Sequence, residues 1–254
     1  MKLLLIGNSF SQDAGAHLYS LCRAGGADVE ILNFIIGGCS FKTHAECIEN
    51  RLAKYMIQYN GKEYGETLFS LLDHGLLYRD WDYVSIQQVS GDSGNYATYH
   101  PYCDTVVDRI RELCPSSKIL IHHTWAYEHN STHPSFPSYE CDTAKMAKAI
   151  GEAYSRLKKD IGADAIIPVG EVIEALRAMP QFDVRRGGIS LHRDGYHLSH
   201  GYGRYAAAAV WYQALGIGDI LKNDFFPEVD GENDKELYRI IRDTVAKTVK
   251  PIVK

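Results

Sequence analysis

Leu3-Leu4-Leu5-Ile6-Gly7-Asn8-Ser9-Phe10-Ser11, residues 3–11, decides how the rest of the chain is read. Four consecutive apolar residues are too few for a membrane span or for the apolar core of a secretory signal. They suit a short strand buried on both faces, as in a parallel sheet. Gly7 then permits a tight turn. Ser9 and Ser11 stand where such a strand hands over to a helix. A serine at that corner either caps the helix or offers its hydroxyl to a ligand, because open parallel sheets bind ligands at the carboxyl ends of their strands.

The same pattern recurs along the chain. Val29 to Ile36 ends at Gly37-Gly38, Tyr83 to Ile86 runs into Gln87-Gln88, Ile119 to Ile121 ends in His122-His123, and Ala165 to Val169 ends at Gly170. Helical patterns fall at 14–24, 43–55, 67–77, 102–113, 142–161, 201–215 and about 234–248. Strand–helix alternation predicts an α/β protein, a three-layer α/β/α sandwich on a five-stranded parallel sheet. One stretch breaks the alternation. Asn60-Gly61 lies between two alternating arms, which predicts a type I′ turn and a small β-hairpin insert near 56–65. With no repeat, low-complexity tract or linker, residues 1–254 are expected to form one domain.

Composition narrows the function. Hydrophobic residues make up 45% of the 254 and charged residues 23%, ordinary values for a globular chain. The net charge of −5 argues against a nucleic-acid partner, and the apolar runs are too short for a membrane partner. The 6 cysteines show no Cys-x-x-Cys spacing and are too sparse for a disulfide scaffold. Reduced cysteines and a leaderless N-terminus point to a cytoplasmic location.

A catalytic serine needs a base, and the base needs an orienting acid. Asp194-Gly195-Tyr196-His197, just before a helix of small residues, offers an acid and an imidazole that can meet across a turn. With 11 histidines in the chain, that spacing arises readily by chance, so its weight comes from its position after the fifth strand. His192 and His200 flank it as rival bases.

Gly7-Asn8-Ser9-Phe10 at the start, Gly37-Gly38 after the second strand and Asp194-x-x-His197 before the penultimate helix together resemble the SGNH (GDSL-type) hydrolases, from Leu3 to about Leu215. The resemblance implies a flavodoxin-like α/β/α fold and a Ser-His-Asp triad. Ser9 would be the nucleophile, His197 the base and Asp194 the acid, with the Ser9 and Gly38 amides in the oxyanion hole. Two blocks depart from the family pattern. Gly-Asp-Ser-Leu reads Gly-Asn-Ser-Phe, and the third block has Gln87-Gln88-Val89-Ser90 in place of Gly-x-Asn-Asp. Some carbohydrate esterases of the superfamily use glutamine there. Gln88 is therefore the expected third oxyanion donor, with Gln87 second. Asn8, Gln87, His123, Trp125 and Tyr127 are the expected substrate-binding residues. The resemblance implies a small-molecule ester substrate, such as an acetylated sugar, and calls for no metal or organic cofactor.

Competing patterns are weaker. Gly91-Asp92-Ser93-Gly94 is similar to a chymotrypsin-like serine motif, but that fold is all-β. His122, His123, Glu128, His129 and His133 cluster without a standard metal spacing and are expected to form a polar rim. Neither a Gly-x-Ser-x-Gly elbow nor a nucleotide-binding glycine motif is present. The alternative to an esterase is a catalytically weak or inactive protein of the same fold that binds a carbohydrate or another small ligand.

Overall fold

The computed structural model describes residues 1–63 and 70–252. Its strands are β1 (Lys2–Gly7), β2 (Glu30–Ile35), β3 (Met56–Tyr59), β4 (Lys62–Glu63), β5 (Tyr83–Ile86), β6 (Lys118–His122) and β7 (Ala165–Ile167). They form one sheet in the order β4-β3-β2-β1-β5-β6-β7. Neighbours from β2 to β6 pair in parallel, with Leu4 between Leu32 and Val84. β1 and β5 are buried almost along their whole length, which explains the continuous apolar runs. With the hairpin set aside, the order is that of a flavodoxin-like doubly wound sheet, whose switch point lies between β1 and β5. The exits of those two strands, at Ser9 and at Gln87-Gln88, border the crevice where such sheets bind ligands.

The seven described strands are the five expected ones and the two of the hairpin. One expectation needs correction: the hairpin is no separate insert. Asn60 and Gly61 have φ of 52° and 79°, as a type I′ turn requires. β3, however, pairs antiparallel with β2, placing Tyr59 opposite Leu32. The hairpin thus covers what would be an open edge of β2. Residues 64–65 of the expected insert lie outside the described residues.

The helices are α1 (Ser9–Gly15), α2 (Leu18–Ala24), α3 (Phe41–Glu49), α4 (Leu72–Leu77), α5 (Tyr102–Leu113), α6 (Thr143–Ile161), α7 (Val169–Arg177), α8 (Tyr202–Ala214) and α9 (Lys235–Thr248). The single helix expected over 14–24 is two, broken at Ala16-His17. α3 starts early because Ser40 Oγ accepts the Thr43 N–H at 3.2 Å, and it stops where Arg51 turns left-handed at φ 51°. Of the helix expected at 67–77, residues 67–69 lie outside the described residues. α7 was not anticipated. Pro168 ends the fifth apolar run as a strand after Ile167, and Val169 opens the helix.

The chain divides into two compact units, each assembled from separated segments. The first comprises 1–12, 29–124 and 148–166, and the second comprises 13–28, 125–147 and 167–254. Ile6, Phe34, Val84, Ile121 and Val106 lie in the core of the first. In the second, α8 is buried nearly all round, from Ala206 to Trp211, against α7 and α9. No described helix is long and apolar enough to cross a membrane.

Gly7 is needed for space, not for an unusual φ. A Cβ there would lie 2.7 Å from Ser11 Oγ, 2.8 Å from Ser11 Cβ and 3.0 Å from Gln87 Cδ. Urea unfolding is expected to show Gly7→Ala less stable by about 1–3 kcal/mol. Gly37→Ala, whose Cβ would have nothing within 4 Å, is the control and is expected to leave stability unchanged.

Candidate active site

In the first unit, a hydrogen-bonded chain crosses the ends of four strands. Asn8 Nδ2 donates to Cys39 O at 2.9 Å, beyond the end of β2. Asn8 Oδ1 accepts from Phe10 N at 3.0 Å and from Gln87 Nε2 at 2.8 Å. His122 Nδ1 lies 2.6 Å from Gln87 Oε1. That oxygen can only accept, so the proton sits on Nδ1. Burial, aided by His123 alongside, drives the His122 pKa down to about 3, so the ring is neutral. Asn8 is therefore the cap of α1, a role the sequence left open for Ser9 or Ser11. The Ser11 hydroxyl lies 2.8 Å from Asn8 O and 3.0 Å from Asn33 Oδ1 and serves this same network. Ser9, the first residue of α1, is half-buried. Gly38 is exposed with φ 63°, a conformation that costs any other residue about 1–2 kcal/mol.

The two glutamines have different surroundings. Gln88 Nε2 donates to Thr98 O at 3.3 Å and to Thr98 Oγ1 at 3.1 Å, while its Oε1 accepts from Phe41 N and Val89 N, each at 2.9 Å. Its carboxamide thus braces the start of α3 against the turn at 96–98. Gln87 is the glutamine that lies on Asn8. His123 is buried, with its ring edge-on to Tyr154 at 5.6 Å. Ser93, the rival nucleophile, is fully buried, and its hydroxyl donates to Ser90 O at 2.8 Å.

In the second unit, Asp194 Oδ2 accepts from His197 Nδ1 at 2.7 Å. Its Oδ1 accepts the backbone N–H groups of His197 at 2.7 Å and Tyr196 at 3.1 Å. Burial alone would raise the Asp194 pKa, but these bonds outweigh it and hold the carboxyl below the usual range. With Nδ1–H given to Asp194, Nε2 is the ring nitrogen left to act as a base. The Tyr196 ring packs 4.4 Å from His197 and 4.7 Å from His133. Trp125 and Tyr127, expected to touch substrate, are 0% exposed. Trp125 Nε1 donates to Tyr196 O at 2.7 Å and so supports the turn from beneath.

The rival bases differ from His197. His192 is enclosed, its Nε2 accepts from Arg177 Nη2 at 2.9 Å, and burial followed by that guanidinium lowers its pKa to about 4. His200 is exposed, and its carbonyl accepts from His17 Nε2 at 2.7 Å. The expected histidine cluster is divided between the units. His122 and His123 belong to the first, while Glu128, His129 and His133 belong to the second. Glu128 accepts from Ser190 at 2.9 Å.

Asp13 escaped the sequence reading. It is 0% exposed, and it accepts from Arg193 at 3.0 Å, Arg204 at 2.8 Å and the Leu198 N–H at 2.9 Å. It therefore fixes the residue next to His197. An acidic residue four positions after Ser9, among Phe10, Ala14 and Leu18, was the available signal.

A family model described as a domain of unknown function (DUF4886) matches residues 2–244. A DUF4886 family protein from Bacteroides uniformis is 33% identical with a TM-score of 0.88, covering 97% of this chain and 93% of that one. A candidate SGNH hydrolase from Slackia heliotrinireducens is 21% identical with a TM-score of 0.55, over 83% of this chain and 96% of its own. Axe2, an acetylxylan esterase from Geobacillus stearothermophilus, is 15% identical with a TM-score of 0.51, over 85% and 94%. The last two are likenesses of fold. No curated protein matches the chain.

Two outcomes are expected. Asp13→Ala leaves two guanidiniums without their buried partner and is expected to cost about 3–5 kcal/mol in urea unfolding. A loss below 1 kcal/mol would show that the cluster contributes little. The second outcome concerns pH. His44, His122 and His192 are buried, with pKa values lowered to about 3, 3 and 4 from 6.5. They are neutral in the native state and gain protons only on unfolding. Their contribution is complete above pH 6.5 and is lost as pH falls towards 4, at roughly 1.4 kcal/mol per pH unit for each ring. Urea midpoints are expected to hold from pH 7.5 to about 6.5 and to fall from there to pH 5.5, and constant midpoints over the whole range would contradict neutral burial.

Proposed function

The chain belongs to the DUF4886 family, and on that premise we propose that it is a serine hydrolase of SGNH type acting on an oxygen ester. The proposed substrate class is a small acyl ester, such as acetate on a carbohydrate. The Asp194–His197 bond at 2.7 Å is the observation that carries this reading. It turns an uninformative sequence spacing into an oriented base. The doubly wound sheet shared with SGNH proteins, and with an acetylxylan esterase among them, supports it further.

In this mechanism Ser9 Oγ attacks the ester carbonyl and His197 Nε2 takes the serine proton. Asp194 holds the ring in that tautomer and stabilises the imidazolium. The Ser9 and Gly38 N–H groups receive the oxyanion. The imidazolium then protonates the alcohol oxygen, the alcohol leaves, and an acyl group remains on Ser9. Water, deprotonated by His197, releases the acid and restores the serine. Gln87 supplies the third oxyanion donor through the Nε2 hydrogen that Asn8 does not take, in preference to Gln88, whose Nε2 donates to both Thr98 O and Thr98 Oγ1. The rings of Tyr196 and His133 contact the alcohol portion, with Trp125 and Tyr127 behind them.

Hydrolysis of p-nitrophenyl acetate and butyrate by wild type and variants tests the proposal. Ser9→Ala and His197→Ala are expected to lower kcat/KM by at least about 10³-fold with the fold intact by circular dichroism. Gln87→Ala is expected to cost about 10²-fold in kcat. Equal activity in wild type and Ser9→Ala would remove the nucleophile. No activity in wild type, on these esters or on acetylated sugars, would favour the carbohydrate-binding alternative.

A further inference from the structure

We propose that His100, Cys103 and Asp104 form a binding site for a divalent transition metal of the zinc class. The site lies wholly within the first unit, and its argument is independent of the hydrolase reading. Cys103 and Asp104 stand in the first turn of α5, with His100 just before it. The spacing i, i+3, i+4 brings the three side chains to one side of the helix start. Their ligand atoms all lie within 4.8 Å of one another. His100 Nδ1 is 2.7 Å from Asp104 Oδ2 and 3.4 Å from Cys103 Sγ, and that sulfur is 3.9 Å from Asp104 Oδ1. A tetrahedral ion with bonds of about 2.0–2.3 Å holds its ligand atoms roughly 3.2–3.8 Å apart. A single ion can therefore sit among all three after a shift of about half an ångström in the His100–Asp104 distance.

Tyr96 Oη is 2.6 Å from Asp160 Oδ2 and 2.9 Å from His100 Nε2. A carboxylate only accepts, so the tyrosine proton goes to Asp160 and the tyrosine oxygen accepts from His100 Nε2–H. That leaves His100 Nδ1 directed at the Asp104 carboxylate 2.7 Å away, with the Cys103 sulfur turned to the same point.

The surroundings match a metal site in two further ways. A histidine that binds metal through one nitrogen usually donates its other N–H to an acceptor that fixes the ring. Tyr96 and Asp160 fill that role, and Arg156 steadies both, 3.4 Å from Asp160 and 4.1 Å over the Tyr96 ring. The His100 and Asp104 side chains are 34% and 47% exposed, so the ion has a path from solvent and room for a water ligand. Thiolate, imidazole and carboxylate together select zinc-like ions over magnesium or calcium. On ligation the Cys103 thiol releases its proton to solvent. Thr98, which holds the Gln88 carboxamide, sits in the adjoining turn.

The test uses the untagged, chelator-stripped full chain, titrated with Zn(II) by calorimetry and with Co(II) by absorption. Wild type is expected to bind one equivalent, and the Co(II) form is expected to show a sulfur-to-metal charge-transfer band. Cys103→Ser is expected to abolish that band. His100→Ala and Asp104→Asn, which alter part-exposed side chains, are expected to weaken binding at least tenfold with unchanged circular dichroism. No binding by wild type would overturn the site and leave His100 as a hydrogen-bond partner of Asp104 alone. Equal affinity in all three variants would overturn it as well, by placing the ion elsewhere.

Discussion

Asn8 has one side-chain donor group and one acceptor, and both hold strand exits together. Its donor grips the carbonyl of Cys39 beyond β2, and its acceptor takes the Phe10 N–H in the first turn of α1 and the amide of Gln87 beyond β5. Gln87 passes the constraint on to His122 at the end of β6. The loop that presents Ser9 and the loop that presents Gly38 are therefore positioned by one buried side chain. Such bonds are worth more than their modest net energy suggests, because any partner left alone in this interior would pay its full desolvation cost.

The same accounting explains why residue 8 is an asparagine here. A carboxylate could accept from Phe10 and Gln87, but it has no proton for Cys39 O and would face that carbonyl with its own charge. The departure from Gly-Asp-Ser-Leu thus belongs to the network and leaves the serine in place. Gln87 fits the same logic. Its carboxamide can donate to Asn8 while accepting from His122, which neither a carboxylate nor an ammonium could do.

The sheet was legible because strands buried on both faces carry continuous apolar runs, and the Asn60-Gly61 turn because two positive φ values demand those residues. What the sequence could not give was the pairing of that hairpin with β2, since edge pairing leaves no local mark. The break between α1 and α2 was equally hidden, as residues 14–24 keep helical spacing across it. At the site, residue type was readable and direction was not. Gln87 and Gln88 are adjacent and chemically identical, yet they point to different partners, and no local feature of the sequence separates them. Trp125 and Tyr127 were read as a surface, although aromatic residues beside a polar turn serve equally well as its foundation.

Asp13 is the case where energetics must decide between readings. Burying a carboxylate with two guanidiniums is seldom better for stability than apolar packing of the same volume. Its presence calls for a reason other than stability, and its third partner supplies one. No apolar residue could accept the N–H of Leu198, the residue that follows His197. Asp13 thus anchors the turn that carries the candidate base. The ion cluster is then best understood as a device for position. Arg193 and Arg204 neutralise the carboxylate so that a backbone bond can be made in a place where an uncompensated charge could not stand.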